Sequence, residues 1–299
     1  MNVDMSPRHE NSQADPLRES VRSHPVAAFL VLVFAITGVL EVVPMPEGLH
    51  GPLENILGAL VPAFAVVAVV GGRPGVRDLA RRSLRWRVPL RWYALALLAL
   101  PAATVIVAPA PYGTAPLEAL RDNWPLLFTS FLPTLAFMAV FDNVAEEVGW
   151  TGFLFASLEQ RHRPLVAAVL AFVPFWAWHA LSFVHDTGSW PDGLLLAGIV
   201  ALPLLASRVM TGWLYNATGA SVLIAGLFHA TFNATVNPTG LAVAVLDLPQ
   251  DEVVVVVGAL VVVAAAVVTV ATHGRLGRRG GGDRPASGGP VRTPRGRQR

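Results

Sequence analysis

The chain has no cysteine and no lysine. Without cysteine it can build no disulfide framework, no thiolate zinc or iron–sulfur site and no thiol nucleophile. Without lysine it offers no Schiff-base amine and no phosphate-loop lysine, and all 22 basic residues are arginine. Charge is scarce: 14% of the 299 residues are charged, against about 25% in soluble domains. That argues against a soluble two-domain enzyme and against a disordered chain. What is abundant is apolar, at 54%. The Ala, Val, Gly and Arg richness points to a bacterial source.

Asp, Glu and Arg are missing from long windows: 23–40, 55–72, 92–117, 123–141, 164–185, 193–207, 209–246 and 253–272. About 20 mostly apolar residues suffice for a helix to cross the hydrocarbon core. The expected fold is all-α, a polytopic transmembrane bundle of about eight spans, with no barrel-type alternation. The first 23 residues carry four acids and read as a polar cytoplasmic N-terminus, not a cleaved signal. Residues 24–272 form the transmembrane domain, and 273–299 form a disordered Arg/Gly-rich tail. Eighteen of the 22 arginines lie in 1–25, 73–91 and 273–299. The positive-inside rule puts these three segments in the cytoplasm, which places the chain in the bacterial plasma membrane with both termini inside. Keeping Arg161 and Arg163 inside requires 124–160 to be one long helix, which Pro133 could kink. The tail arginines could touch anionic lipid, and no nucleic-acid partner is expected.

Ionisable groups inside spans are costly and point to function. Three clusters qualify. One is Asp142, Asn143, Glu146 and Glu147, another is Phe175 with His179, and the third is His229, Asn233 and Asn237. The other six histidines read as solvated. Counted from the nearest inner landmark (Arg161, Arg163 or Gly219), Glu146, His179 and Asn233 lie roughly 20–25 Å along their helices at 1.5 Å per residue. His229 and Asn233 share a face at i,i+4, as do Phe175 and His179. Gly149 and Gly152 permit close helix approach. A buried carboxylate can serve as general base, and histidine and asparagine can donate to an oxyanion. Glu146, His179 and His229 could alternatively hold zinc with one open position. The structural alternative for each group is a helix–helix hydrogen bond. Trp176 and Trp178 read as packing or interfacial residues. A carboxylate relay in a proton-coupled transporter is a further alternative, although no repeat symmetry supports it.

The strings EEVGWTG at 146–152, FWAWH at 175–179 and HATFN at 229–233 resemble the motifs of the CPBP family of intramembrane proteases, the CAAX-protease and bacteriocin-processing group. The resemblance covers roughly residues 125–237. It implies an intramembrane endopeptidase acting on a membrane-associated peptide or protein substrate within the lipid bilayer. Glu146 with His179 would activate water, Glu147 would support the site, and His229 with Asn233 would stabilise the oxyanion. Zinc remains open. Thr151 stands where the family motif has Arg, which favours the alternative of a weakened or inactive immunity or partner protein. Arg208 is read as a snorkelling residue near the inner surface. Without an arginine, the two adjacent carboxylates are expected to share a proton, and Thr151→Arg is expected to raise activity.

Overall fold

The computed structural model describes residues 16–44, 46 and 48–278. Most of the tail and the first 15 residues therefore lie outside the described residues. The described chain is helical: α1 (Pro16–Ser23), α2 (Pro25–Leu40), α3 (His50–Ser83), α4 (Leu90–Tyr112), α5 (Ala115–Asp122), α6 (Leu127–Leu158), α7 (Pro164–Thr187), α8 (Trp190–Ala217), α9 (Val222–Val236) and α10 (Gln250–Ala271). A single π turn, Leu241–Val245, links α9 to the loop before α10. The all-α bundle read from the sequence is borne out.

By length and composition, six of these helices can cross a membrane, or seven if α1 and α2, bent by 106°, form one span. Besides α2, whose 16 residues count as a span only together with α1, the difference from eight lies in α9. Its 15 residues measure about 22 Å, short of a core about 30 Å thick. It is instead the central helix, packed on α4, α6, α8 and α10. Eleven of its residues are buried, with apolar or small side chains all around. Gly219, with φ +66, makes the turn before it, and the Ser221 hydroxyl accepts the Ile224 N–H at 3.3 Å to cap it.

Two long helices differ from the plain rods expected. The arginine-rich 73–91 segment is helical as far as Ser83 rather than a loop. The bend comes at Gly72, where φ 56 and ψ −155 break the helix just before Pro74. Only glycine adopts that backbone conformation without strain. Arg82 is drawn inward, donating to Gly152 O at 2.8 Å and Tyr215 Oη at 2.7 Å.

Helix α6 does run as one helix through Leu127–Leu158, as the arginine placement required. It absorbs its length through three π segments, Leu127–Phe131, Met138–Asn143 and Val148–Phe155. Such bulges re-aim side chains and recur at functional sites. The Glu pair sits on Val144–Glu147, the α-helical step between the second and third π segments.

Glycine allows close packing around that step. A Cβ on Gly149 would lie 2.7 Å from Ala59 O of α3, and one on Gly226 would lie 2.8 Å from the Val144 Cα. Both are shorter than real contacts, so α3 and α9 approach α6 only because these positions lack side chains. The close approach expected of Gly149 is present. At Gly152 a Cβ would meet Val222 Cγ2 at 3.1 Å and Leu79 Cδ1 at 3.2 Å.

Candidate active site

Glu147 is fully buried and fully partnered. The Arg208 guanidinium, reaching in from α8, binds both carboxylate oxygens, with Nη1 on Oε2 at 3.1 Å and Nη2 on Oε1. The Thr151 hydroxyl donates to Oε2 from one turn along α6. His229 Nδ1 lies 2.9 Å from Oε1. Arg208 is only 2% exposed, so it does not snorkel. Its position is fixed further by the Phe175 ring, whose centroid lies 3.9 Å from the guanidinium carbon. The aromatic residue of the second motif thus has a physical role: it forms the floor under the cation and packs against the His179 ring, tilted by 52° with centroids 4.3 Å apart.

This corrects the reading of Thr151 and Arg208. The positive charge missing at position 151 is supplied by residue 208, from another helix. Thr151 does share a face with Glu147, as i,i+4 spacing requires, and its hydroxyl fills the lone-pair site that remains. The two carboxylates therefore have unequal surroundings, Glu147 holding the cation and Glu146 not. Arg208 was findable: it is the only Asp, Glu, Lys or Arg between Asp192 and Asp247. An ionisable residue so isolated in apolar sequence marks a functional position.

Glu146 has fewer partners. Asn143 Nδ2 donates to Oε2 at 3.1 Å, and His229 Nδ1 approaches Oε2 to 3.7 Å. Asn143 therefore supports the site rather than merely interrupting the helix. Glu146 Oε1 is buried and has no hydrogen-bond partner. It faces His179 Nε2 at 4.0 Å. The other ring nitrogen of His179 lies 3.0 Å from Phe175 O. A carbonyl can only accept, so Nδ1 carries the proton and Nε2 presents a lone pair toward Glu146. His179 is the most open member, with its side chain 20% exposed.

The structure therefore brings Glu146, Glu147, His179 and His229 together from three helices, α6, α7 and α9. Asn233, one turn beyond His229 on α9, is half-buried and makes no side-chain hydrogen bond among the described residues. Trp178 donates to Thr37 Oγ1 at 2.7 Å and Trp176 to Ala197 O at 2.8 Å, both as helix-to-helix packing. As for zinc, one group of three among the described residues has donor atoms all within 4.8 Å of one another, and it lies elsewhere, at Glu41, His50 and His185. Glu146, His179 and His229 are more widely spaced, and the Nδ1 of His229 is already engaged by Glu147. The geometry fits a water between Glu146 and His179 better than an ion shared by all three. Of the histidines read as solvated, His185 is exposed as expected, His50 is half-buried, and both approach Glu41.

Fold and site together define a class: a multi-pass helical membrane protein enclosing a buried Glu–Glu–His–His–Arg cluster. Two comparisons narrow it. Residues 128–235 match the family described as type II CAAX prenyl endopeptidase, Rce1-like. That segment runs from α6 into α9 and includes every member of the cluster. The chain is also similar to the CAAX prenyl protease 2 of Methanococcus maripaludis, with 27% identity over 153 residues, 49% of this chain and 56% of the relative. The chain thus spans about half the length of the relative it matches. The family resemblance carried by the three motifs is borne out for this segment.

Proposed function

We propose that the chain is an intramembrane endopeptidase that hydrolyses peptide bonds with a water activated by Glu146 and His179. One observation carries this reading. Glu146 Oε1, buried and without a hydrogen-bond partner, lies 4.0 Å from His179 Nε2. A water bridging both at about 2.8 Å fits that gap and satisfies the carboxylate oxygen. Glu146 would take its proton as the water attacks a carbonyl carbon, then return it to the departing amine. Glu147 is not free for this, because Arg208, Thr151 and His229 occupy it. Its task is to hold His229 by Nδ1, leaving Nε2 for the substrate. His229 and Asn233 would stabilise the oxyanion.

The supply of charge by Arg208 supports the catalytic reading over the inactive-partner alternative, which Thr151 had favoured. The substrate class proposed, on the suggestion of the relative's name, is a peptide whose C-terminal region bears a prenylated cysteine, presented at the bilayer. The test is cleavage of such a peptide by the reconstituted protein, with the unprenylated peptide as comparison. Asn233→Ala should retain measurable turnover reduced about 10²–10³-fold, the usual loss for one oxyanion donor. Undiminished turnover would remove Asn233 from the mechanism.

The orientation proposed is both termini and the arginine-rich 73–91 segment in the cytoplasm. Because the chain lacks cysteine, single-cysteine labelling needs no background removal. Ser83 is buried, whereas Leu84 is 73% exposed and Asp247 is exposed. Leu84→Cys should react only from the cytoplasmic side, and Asp247→Cys only from the opposite one. Labelling of both from one side would contradict this topology.

A further inference from the structure

We propose that Glu41, His50 and His185 form a zinc(II) site where the ends of α2, α3 and α7 meet, separate from the Glu146 cluster. Glu41 caps the C-terminus of α2, His50 opens α3, and His185 lies in the last turn of α7. Three helices thus each contribute one donor. Imidazole nitrogens and a carboxylate are the set a borderline-soft divalent ion selects in a chain that offers no thiolate.

The distances fit. One donor atom from each residue lies within 4.8 Å of the other two. His185 Nδ1 is 2.9 Å and His50 Nε2 is 3.6 Å from Glu41 Oε2. Ligands about 2.0–2.1 Å from a tetrahedral zinc are separated by roughly 3.3 Å, so the two distances bracket the required value. The two rings lie nearly parallel, with centroids 4.9 Å apart and an interplanar angle of 13°. Imidazole lone pairs lie in the ring planes, so one of these face-to-face rings has to rotate about its side-chain bonds before both nitrogens meet one ion. The fourth position is left for water.

Unmet polar atoms point the same way. Both Glu41 carboxylate oxygens and His50 Nε2 are buried and make no aligned hydrogen bond. Leaving such groups unpaired is expensive. No arginine pairs with Glu41 or Glu54 among the described residues, in contrast to Glu147. Glu54 and Asp186 add two further carboxylates beside His50 and His185, each next to or one turn from a proposed ligand.

The second layer is also present. Glu54 Oε2 lies 3.9 Å from His50 Nδ1, one turn along α3, and Ser182 Oγ donates to Glu54 Oε1 at 3.1 Å. A carboxylate behind the distal nitrogen of a histidine fixes its tautomer and turns the other lone pair toward the metal. At 3.9 Å Glu54 is beyond hydrogen-bond distance of His50 and would have to close up on metal binding to play that part. Binding would pin three helix ends together, and α7 carries His179 six residues before His185.

The inference does not rest on peptidase activity, and neither does its test. Metal-stripped full-length protein in detergent is titrated with Zn²⁺ in competition with a chromophoric chelator, and with Co²⁺ to read the absorption of a four-coordinate ion. The expectation is one equivalent bound and a higher thermal midpoint with Zn²⁺. His50→Ala and His185→Ala should each abolish binding, Glu54→Gln should weaken it about 10–100-fold, and Glu146→Gln should leave it intact. Milder His50→Gln and His185→Asn variants replace any alanine variant that fails to accumulate. Absence of binding, binding that survives both histidine substitutions, or binding lost in Glu146→Gln but kept in His185→Ala would overturn the assignment.

Discussion

Arg208→Ala is expected to destabilise the protein by about 3–5 kcal/mol, because it strands a carboxylate buried at 0% exposure. Thr151 and His229 would remain on Glu147, but neither brings the fixed charge that Arg208 does. Proteolysis should fall with stability, since Glu147 orients His229 and the freed Phe175 face no longer steadies His179. Thr151→Arg alone should also harm the protein, the reverse of what the motif comparison suggests. Thr151 is 1% exposed, and a second guanidinium there would face Arg208 across one carboxylate, in space that is already filled.

The double variant Arg208→Ala with Thr151→Arg should recover much of both losses. Removing the first guanidinium vacates the volume the second needs, and restores the arginine one turn after the Glu pair. Thermal unfolding in detergent and turnover of all four proteins form a double-mutant cycle. Strong positive coupling between positions 151 and 208 is the expected result. Additive losses would mean that the two positions do not serve the same carboxylate.

The sequence was most legible where cost in lipid makes residues conspicuous. Apolar windows between arginine blocks announced the helical bundle, and the rare carboxylates and histidines inside them announced the cluster. The i,i+4 faces of Glu147–Thr151 and Phe175–His179 survive in three dimensions because helical geometry enforces them locally. What stayed hidden was non-local. Which helix supplies a cation to Glu147 depends on how α8 packs against α6, and no periodicity reports that. The ends of α9 leave no mark in the charge pattern, because its flanking turns, Gly219–Ala220 and Pro238–Gly240, are as uncharged as the helix. The π segments of α6 leave no compositional trace. His185 is solvent-exposed, as a residue at a span end usually is, but no local pattern reports that it and the half-buried His50 both approach Glu41.

Glu146→Gln is expected to abolish useful turnover while the protein still folds. The substitution keeps the volume and the Asn143 contact but removes the basic oxygen that faces His179. Loss of a positioned general base typically costs about 10²–10⁴-fold in rate. His179→Ala should have an effect of similar size, since it removes the second support of the same water. Combining the two should cost little more than either alone, because they act as one unit. Glu147→Gln differs in kind: it should lower stability as well, since Arg208 would lose its counter-charge.

The most direct measurement of the central claim is mass-spectrometric cleavage of a prenylated peptide by the protein in lipid, wild type beside Glu146→Gln at matched folded concentration. The account predicts a single cleavage near the prenylated cysteine in wild type and at least a hundredfold less product in the variant. Equal cleavage by both proteins would contradict it, as would a wild type that cleaves no peptide while folding normally.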